Sequence, residues 1–166
     1  MNSKNKGNTF ERKIANLLSE RFEIRTGISK SFRRATDSGS FFGGTNKTRT
    51  ETHDLSKASF GDIITPDEFA FSIECKHYKD PPSFASLVKQ EVAALDKWIT
   101  QAEQDAESSG KLPAIIVKYN NVPEVVFLRE AFGSIIPVAR YKAYKIIALT
   151  DFIDQEDEWF FPTPSA

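Results

Sequence analysis

Apolar residues recur along this chain with helical spacing in two stretches and with strand-like spacing in several others. The first helical stretch runs from about Thr9 to Arg21, with Thr9 as the expected N-cap. Its apolar positions are three to four residues apart, which predicts one buried face: Phe10, Ile14, Leu17 and Leu18.

The second helical stretch follows Pro81-Pro82, with Ser83 as its expected cap, and ends at Ser108-Ser109-Gly110. The spacing predicts one continuous helix. Its predicted buried face comprises Phe84, Leu87, Val88, Val92, Leu95, Trp98, Ile99, Ala102 and Ala106.

Strand-like runs lie on both sides of the second helix. Residues 22 to 34 should hold one or two strands ending in SFRRA, and residues 62 to 78 predict strand, turn (TPDE) and strand. AIIVKY and EVVFLR predict a hairpin, and KAYKIIAL predicts a further strand before a short helix, DFID, capped by Thr150. The order helix, strands, long helix, strands predicts an α/β or α+β fold around one mixed sheet, and we take α/β, with a central mixed β-sheet flanked by helices, as the expectation.

The 166 residues suit one domain, expected over residues 1–153, with residues 154–166 as a loosely attached acidic tail that contains aromatic residues. No apolar run approaches the ~20 residues that span a bilayer, so no membrane partner is expected. The polar N-terminus lacks the apolar segment of a signal peptide, and the single cysteine cannot form an internal disulfide. These features predict an intracellular protein.

Charge is unevenly distributed along the chain. The net charge is −1, but residues 1–50 carry +7 and the remainder carries −8. This division suggests a basic face that meets a polyanion and an acidic body that maintains solubility. The alternative is that charge merely fluctuates along the sequence.

The stretch GDIITPDEFAFSIECKHYKD, residues 61–80, places charged residues within a predicted strand. Glu74 and Lys76 are two apart and therefore project from one side, whereas Cys75 faces a core on the other. If the preceding strand pairs antiparallel, Asp62 can reach Glu74.

Two close carboxylates repel unless a cation lies between them, and Mg²⁺ prefers such hard oxygen ligands. A nearby lysine could orient or deprotonate a water, or neutralise charge that develops on phosphorus. The group therefore indicates a phosphodiester-cleaving site; the alternative is an exposed edge strand with a surface Glu/Lys pair. A second such triplet, Glu11-Arg12-Lys13, lies on a predicted helix and is not equivalent.

Three further stretches extend a resemblance that begins with GD…IECK. That motif resembles the PD-(D/E)xK nuclease superfamily and, more closely, the archaeal and phage Holliday-junction resolvases. KGNTFERKIANLL resembles their opening helix, RRATDSGSF their arginine-rich strand and Ser-Gly-Ser turn, and VKQEVAALDKWITQAEQDAESSGKLPAIIVKY the helix and strand behind the site. The resemblance covers about residues 4 to 130, with Gly61 in place of the usual proline before Asp62.

The resemblance implies a restriction-endonuclease-like core, Mg²⁺ as cofactor with Mn²⁺ able to substitute, and a homodimer acting on branched double-stranded DNA. It implies a role in DNA recombination and repair, in the cytoplasm of a prokaryotic or phage-infected cell. A two-fold-symmetric junction needs two matched nicks, which a symmetric dimer would supply. The implied site residues are Glu11, Asp62 and Glu74 as metal carboxylates, Lys76 as catalytic lysine, and Ser38 and Ser40 as active-site or DNA-contact serines. Cys75 is included among the metal-site residues, although its thiol is expected in the core.

Basic residues near the site are candidate DNA contacts. They are Lys6, Arg12, Arg33, Arg34, Lys47, Arg49, His77 and Lys79. A solvated surface is the alternative for each. For the whole protein, two alternatives remain: another nuclease of the superfamily that acts on flaps or DNA ends, and a non-catalytic DNA-binding module.

Overall fold

The computed structural model describes residues 3–35 and 60–163, with side chains from residue 5 onward in those ranges. Its seven strands form one sheet in the order β1-β2-β3-β4-β5-β7-β6. They are β1 (Arg33–Arg34), β2 (Ile63–Ile64), β3 (Phe71–Tyr78), β4 (Leu112–Tyr119), β5 (Val125–Arg129), β6 (Ala139–Tyr141) and β7 (Tyr144–Ala148). The β3–β4 pair is parallel and the other pairs are antiparallel, so the sheet is mixed.

Six helices of the described ranges flank this sheet. They are α1 (Ser3–Arg21), α2 (Glu23–Thr26), α3 (Phe84–Lys89), α4 (Ala93–Ser109), α5 (Leu149–Ile153) and α6 (Asp157–Phe160). The parallel β3–β4 pair requires a crossover connection, which α3 and α4 supply. The predicted α/β architecture, with a mixed sheet between helices, is confirmed.

Each face of the sheet has its own apolar core. One core joins α1, α5 and α6 to the sheet through residues such as Ile14, Leu18 and Phe152. The other joins α4 to the opposite face through Leu95, Trp98 and Ala102. Alternate residues of β4 enter the two cores, because successive side chains of a strand point to opposite faces. In β3, Phe71, Ile73 and Cys75 enter the first core, whereas the alternating Ser72, Glu74 and Lys76 belong to neither.

The first helix begins earlier than predicted. It starts at Ser3, so Thr9 lies inside the helix and is not its cap; the Thr9 hydroxyl donates a hydrogen bond to the carbonyl of Asn5, at 2.8 Å. Residues 22 to 34 hold the short helix α2 and one strand, β1. The predicted buried positions Phe10, Ile14 and Leu18 are confirmed.

The predicted long second helix is wrong in one respect, because it is two helices. Ser83 caps α3 as predicted, and its hydroxyl accepts a hydrogen bond from the Ser86 N–H. Gln90 then adopts a left-handed conformation that ends α3, and α4 begins at Ala93. Phe84 and Val88 were predicted to be buried but are 81% and 64% exposed, because the break at Gln90 interrupts the continuous apolar face that the prediction assumed.

The hairpin of β4 and β5 and the α4 end at Gly110 are confirmed. KAYKIIAL contributes β7, which also pairs with β6, a strand the pattern did not predict. The short helix after β7 is confirmed, but Ala148 is its N-cap and Thr150 lies inside it.

The prediction of a loosely attached end is wrong for residues 157–161. Phe160 and Phe161 are buried in the core beneath α1, and the Phe160 carbonyl accepts a hydrogen bond from the Ala70 N–H. Arg21 donates to the carbonyls of Ile153 and Gln155 and pairs with Asp157 at 2.7 Å. The boundary drawn at residue 154 itself stays a prediction.

Across the described ranges, we find no helix that combines the length and the apolar character needed to cross a membrane.

Candidate active site

The candidate site lies along one edge of β3. Strand β4 pairs with β3 along all eight residues on one side. Within the described ranges, β2 pairs with β3 on the other side only at Ile73. Beyond Ile73, no strand of the described ranges pairs with this edge of β3, which we call the open edge.

Asp62 occupies the start of this open edge. Its N–H donates to the Ile73 carbonyl at 2.8 Å, and its Oδ2 accepts from the Cys75 N–H at 2.8 Å. The residue before it, Gly61, has φ = 84°, and a Cβ there would lie 2.7 Å from the Ile73 carbonyl oxygen. Proline, the usual residue of the resembled motif, is confined to φ near −65°, so this backbone requires the glycine.

Glu74 and Lys76 project together from β3, as the two-residue spacing predicts. Lys76 Nζ lies 2.8 Å from Glu74 Oε2, and the Glu74 side chain is only 1% exposed. The antiparallel β2–β3 pairing brings Asp62 beside them. The sequence argument for this group therefore agrees with the geometry.

Glu11 approaches the same group from α1. It is 9% exposed and forms an ion pair with Arg34 of β1, which also donates to Asn8 Oδ1 at 2.9 Å. Burial and the nearby charge of Asp62 raise the pKa of Glu11, against the opposing contribution of Arg34. Residues some fifty positions apart are thus close enough to affect one another's charge.

The same causes act more strongly on Glu74. Burial and the charge of Asp62 raise its pKa to about 9, against the contribution of Lys76. Burial lowers the pKa of Lys76, but its contact with Glu74 outweighs burial and the net pKa is raised. Within the described ranges, three carboxyl groups thus lie close to Lys76, and their mutual repulsion is of the kind that a bound cation relieves.

Within residues 3–35 and 60–163, no group of three or more His, Cys, Asp or Glu side chains is arranged to hold a metal ion. The carboxylates of the site nevertheless suit a divalent cation. Mg²⁺ commonly uses only one or two protein carboxylates and completes its shell with water and phosphate oxygens. Asp62 has one oxygen not engaged by Cys75, and Glu74 is held beside it. Hard oxygen donors that repel one another therefore fit Mg²⁺ or Mn²⁺.

Cys75 contributes through its backbone and not its thiol. Its side chain is buried in the core on the α1 face, and burial followed by the charge of Asp62 raises its thiol pKa well above the usual value. Its N–H faces Asp62, and in a strand the N–H and carbonyl of one residue point to the same edge. The carbonyl of Cys75 is thus the group that faces the site.

The predicted DNA contacts fall into different settings. Arg12, Arg33 and Lys79 are exposed, Lys6 is half-buried on α1, and Lys79 lies 3.9 Å from Asp80. Arg34 is held by Glu11 and Asn8, so a structural role competes with phosphate contact. His77 is half-buried, with Nε2 3.3 Å from Asn120 Oδ1. Four predicted residues lie outside the described ranges: Ser38, Ser40, Lys47 and Arg49.

Two residues of α4 adjoin the site although the sequence argument did not select them. Gln101 donates to Glu74 Oε1 at 3.1 Å, and its own oxygen accepts from Lys76 at 3.1 Å. Asp105 is close enough to Glu74 to share a hydrogen bond, and burial is the main cause that raises its pKa. Each of the two directly precedes a buried alanine, Ala102 or Ala106. Two polar residues four apart, beside the buried face of the helix, are the sequence pattern that could have identified them.

Comparison with known proteins agrees with this architecture. The family model for "Phage putative PDDEXK endonuclease" matches residues 2–159, which include every described residue of the site. Neither a curated protein nor a solved structure matches the chain. The match spans nearly the whole sequence, and the chain therefore belongs to the phage putative PDDEXK endonuclease family.

Proposed function

We propose that this protein is a Mg²⁺-dependent endodeoxyribonuclease that cleaves branched DNA, with four-way junctions as its substrate and a homodimer as its working form. The observation that carries the cleavage chemistry is the cluster of Asp62, Glu74 and Lys76 at the open edge of β3, with Glu11 beside it. A DNA-binding module has no need of buried carboxylates facing phosphates. Junction choice and the dimer rest on the resemblance to resolvases and on the symmetry of the substrate.

Asp62 and Glu74, with the Cys75 carbonyl, would hold the metal, and Glu11 would add charge nearby. When bound, Mg²⁺ polarises a phosphoryl oxygen and makes a bound water more acidic. Lys76, 16% exposed, can place its ammonium against a phosphate oxygen or orient the attacking water. Exposed Arg12 and Arg33 supply positive charge for the DNA backbone.

The decisive assay incubates the protein with Mg²⁺ and matched four-way, flap, linear and single-stranded DNAs. Paired symmetric nicks in the four-way substrate alone would support the proposal. Cleavage of flaps or ends would point to another nuclease of the superfamily. Binding without any cleavage would identify a non-catalytic module.

Variants tie the activity to the site. Asp62→Asn, Glu74→Gln and Lys76→Ala should each abolish cleavage while junction binding persists, because they remove metal ligation or charge stabilisation. Glu107→Gln and Lys97→Ala are matched controls, since both residues are exposed on α4. Near-normal cutting by any of the first three would remove that residue from the site.

A further inference from the structure

One side chain of α4 contacts both members of the Glu-x-Lys pair. Gln101 Nε2 donates to Glu74 Oε1 at 3.1 Å, and Lys76 Nζ donates to Gln101 Oε1 at 3.1 Å. Lys76 also donates to Glu74 Oε2 at 2.8 Å, which closes a three-membered network. Each oxygen of the buried Glu74 carboxylate thus has its own donor.

The chemistry of this position favours an amide. The side chain must donate to a carboxylate and accept from an ammonium, and a neutral amide carries both a donor and an acceptor at its end. A carboxylate at residue 101 would repel Glu74, and an ammonium would repel Lys76. Glutamine satisfies both charged neighbours without adding charge to a site that already holds several.

The helix fixes where this amide lies. Trp98 and Ala102, on either side of Gln101, are buried against the sheet, so α4 is held close to β3. The small side chain of Ala102 allows the helix backbone to approach. Gln101 is therefore presented by packed structure and not by a loop.

We propose that Gln101 is a positioning residue of the nuclease site, holding the Glu74 carboxylate and the Lys76 ammonium in their working orientations. This inference rests on the proposed function, which gives those two groups their tasks. In the described part of the chain, Lys76 has no side-chain partner other than Glu74 and Gln101. Without Gln101 the lysine would depend on the same carboxylate that is needed as a metal ligand.

The test replaces Gln101 by methionine, which keeps length and apolar contact but removes both hydrogen bonds. Gln104→Met is the matched control, because Gln104 is exposed on the same helix. Residues that orient metal ligands typically contribute about 10–100-fold to activity or metal affinity. We expect kcat of Gln101→Met to fall by about that factor, with KM for the DNA within about twofold.

A second measurement needs no DNA. Titration calorimetry with Mn²⁺ alone should give a Kd about tenfold weaker for Gln101→Met than for wild type, and unchanged for Gln104→Met. Thermal melting checks that each variant is folded. If Gln101→Met is unstable, Gln101→Asn keeps the amide but is one methylene too short, and the same losses are expected.

The outcomes separate the two proposals. Wild-type kcat and wild-type Mn²⁺ affinity in a folded Gln101→Met protein would overturn the positioning role. A loss confined to KM would also overturn it, because that result indicates a DNA contact. If the wild-type protein cleaves none of the four DNAs, the proposed function fails, and the Mn²⁺ titration alone decides whether Gln101 holds Glu74.

Discussion

Replacing Phe160 by alanine should cost the protein about 3–5 kcal/mol in its free energy of unfolding. The Phe160 side chain is fully buried, and its ring centroid lies 4.7 Å from that of Phe22 and 5.1 Å from that of Phe152. It also stacks on Phe69 at 5.9 Å. The substitution therefore leaves a cavity between the rings of Phe22, which follows α1, Phe152 of α5, and Phe69, which lies between β2 and β3.

The magnitude follows from the size of that cavity. A phenylalanine of this kind buries roughly 150–250 Å², and about 25 cal/mol per Å² gives ~4–6 kcal/mol as an upper estimate. Measured Phe→Ala costs in cores are about 3–5 kcal/mol. A domain of this size loses about 2–4 °C in Tm per kcal/mol, so we expect a fall of about 6–20 °C.

Urea unfolding followed by tryptophan fluorescence measures the change, with Phe84→Ala as control. Phe84 is 81% exposed, so its loss should change the free energy of unfolding by no more than about 0.5 kcal/mol. A cost below about 1 kcal/mol for Phe160→Ala would refute the reasoning, because it would mean that residues 157–161 are not part of the core.

Three further predictions concern charge. Arg33→Ala should lower the slope of log DNA affinity against log salt concentration by about one, because the Arg33 side chain is exposed. Arg34→Ala should instead lower the free energy of unfolding by about 1–3 kcal/mol, because it leaves Glu11 without its cation. Equal effects of the two variants on DNA binding would contradict this distinction. Because burial and Asp62 raise the pKa of Glu74, the carboxyl holds a proton at low pH that a metal must displace, so raising Mg²⁺ should move the acid limb of the rate–pH profile to lower pH. A limb that does not move would exclude Glu74 as a ligand. Glu11→Gln should lose most cleavage at low Mg²⁺ and recover part of it at high Mg²⁺ or in Mn²⁺, and full activity at low Mg²⁺ would remove Glu11 from the site.

Local alternation was sufficient to predict the central part of the fold. The apolar runs of β4 and β5 flank a clear turn, so their hairpin followed from the pattern, and the two-residue period of β3 placed Glu74 and Lys76 on one side. Asp62 could be placed because the turn between β2 and β3 is short. The prediction that Glu11 joins this site came from a family resemblance, since nothing local links α1 to β3.

Other features depend on contacts between distant residues and leave little local trace. The break after α3 contains neither glycine nor proline. The Tyr141 hydroxyl holds it by accepting from the Val92 N–H at 2.9 Å and donating to Asp96 Oδ1 of α4 at 2.9 Å. Acidic residues around Trp159 and Phe160 made that segment resemble a solvated end, although the phenylalanine is core. Gln101 was not selected, because the pattern could not show which charged groups it faces.

Asp62 has a second role besides the site, because its Oδ2 accepts the Cys75 N–H and so satisfies a backbone donor at the edge of the sheet. An open strand edge with an unsatisfied N–H is a template for edge-to-edge pairing with another chain. Asp62→Ala would leave that buried donor unpaired, at a cost of about 1–3 kcal/mol, and would expose the edge to aggregation. Asp62→Asn keeps an oxygen acceptor while it removes the charge, so it is the better inactive form for trapping the protein on DNA. A homologue with a residue here that lacks a side-chain oxygen acceptor would have to satisfy the Cys75 N–H by other means.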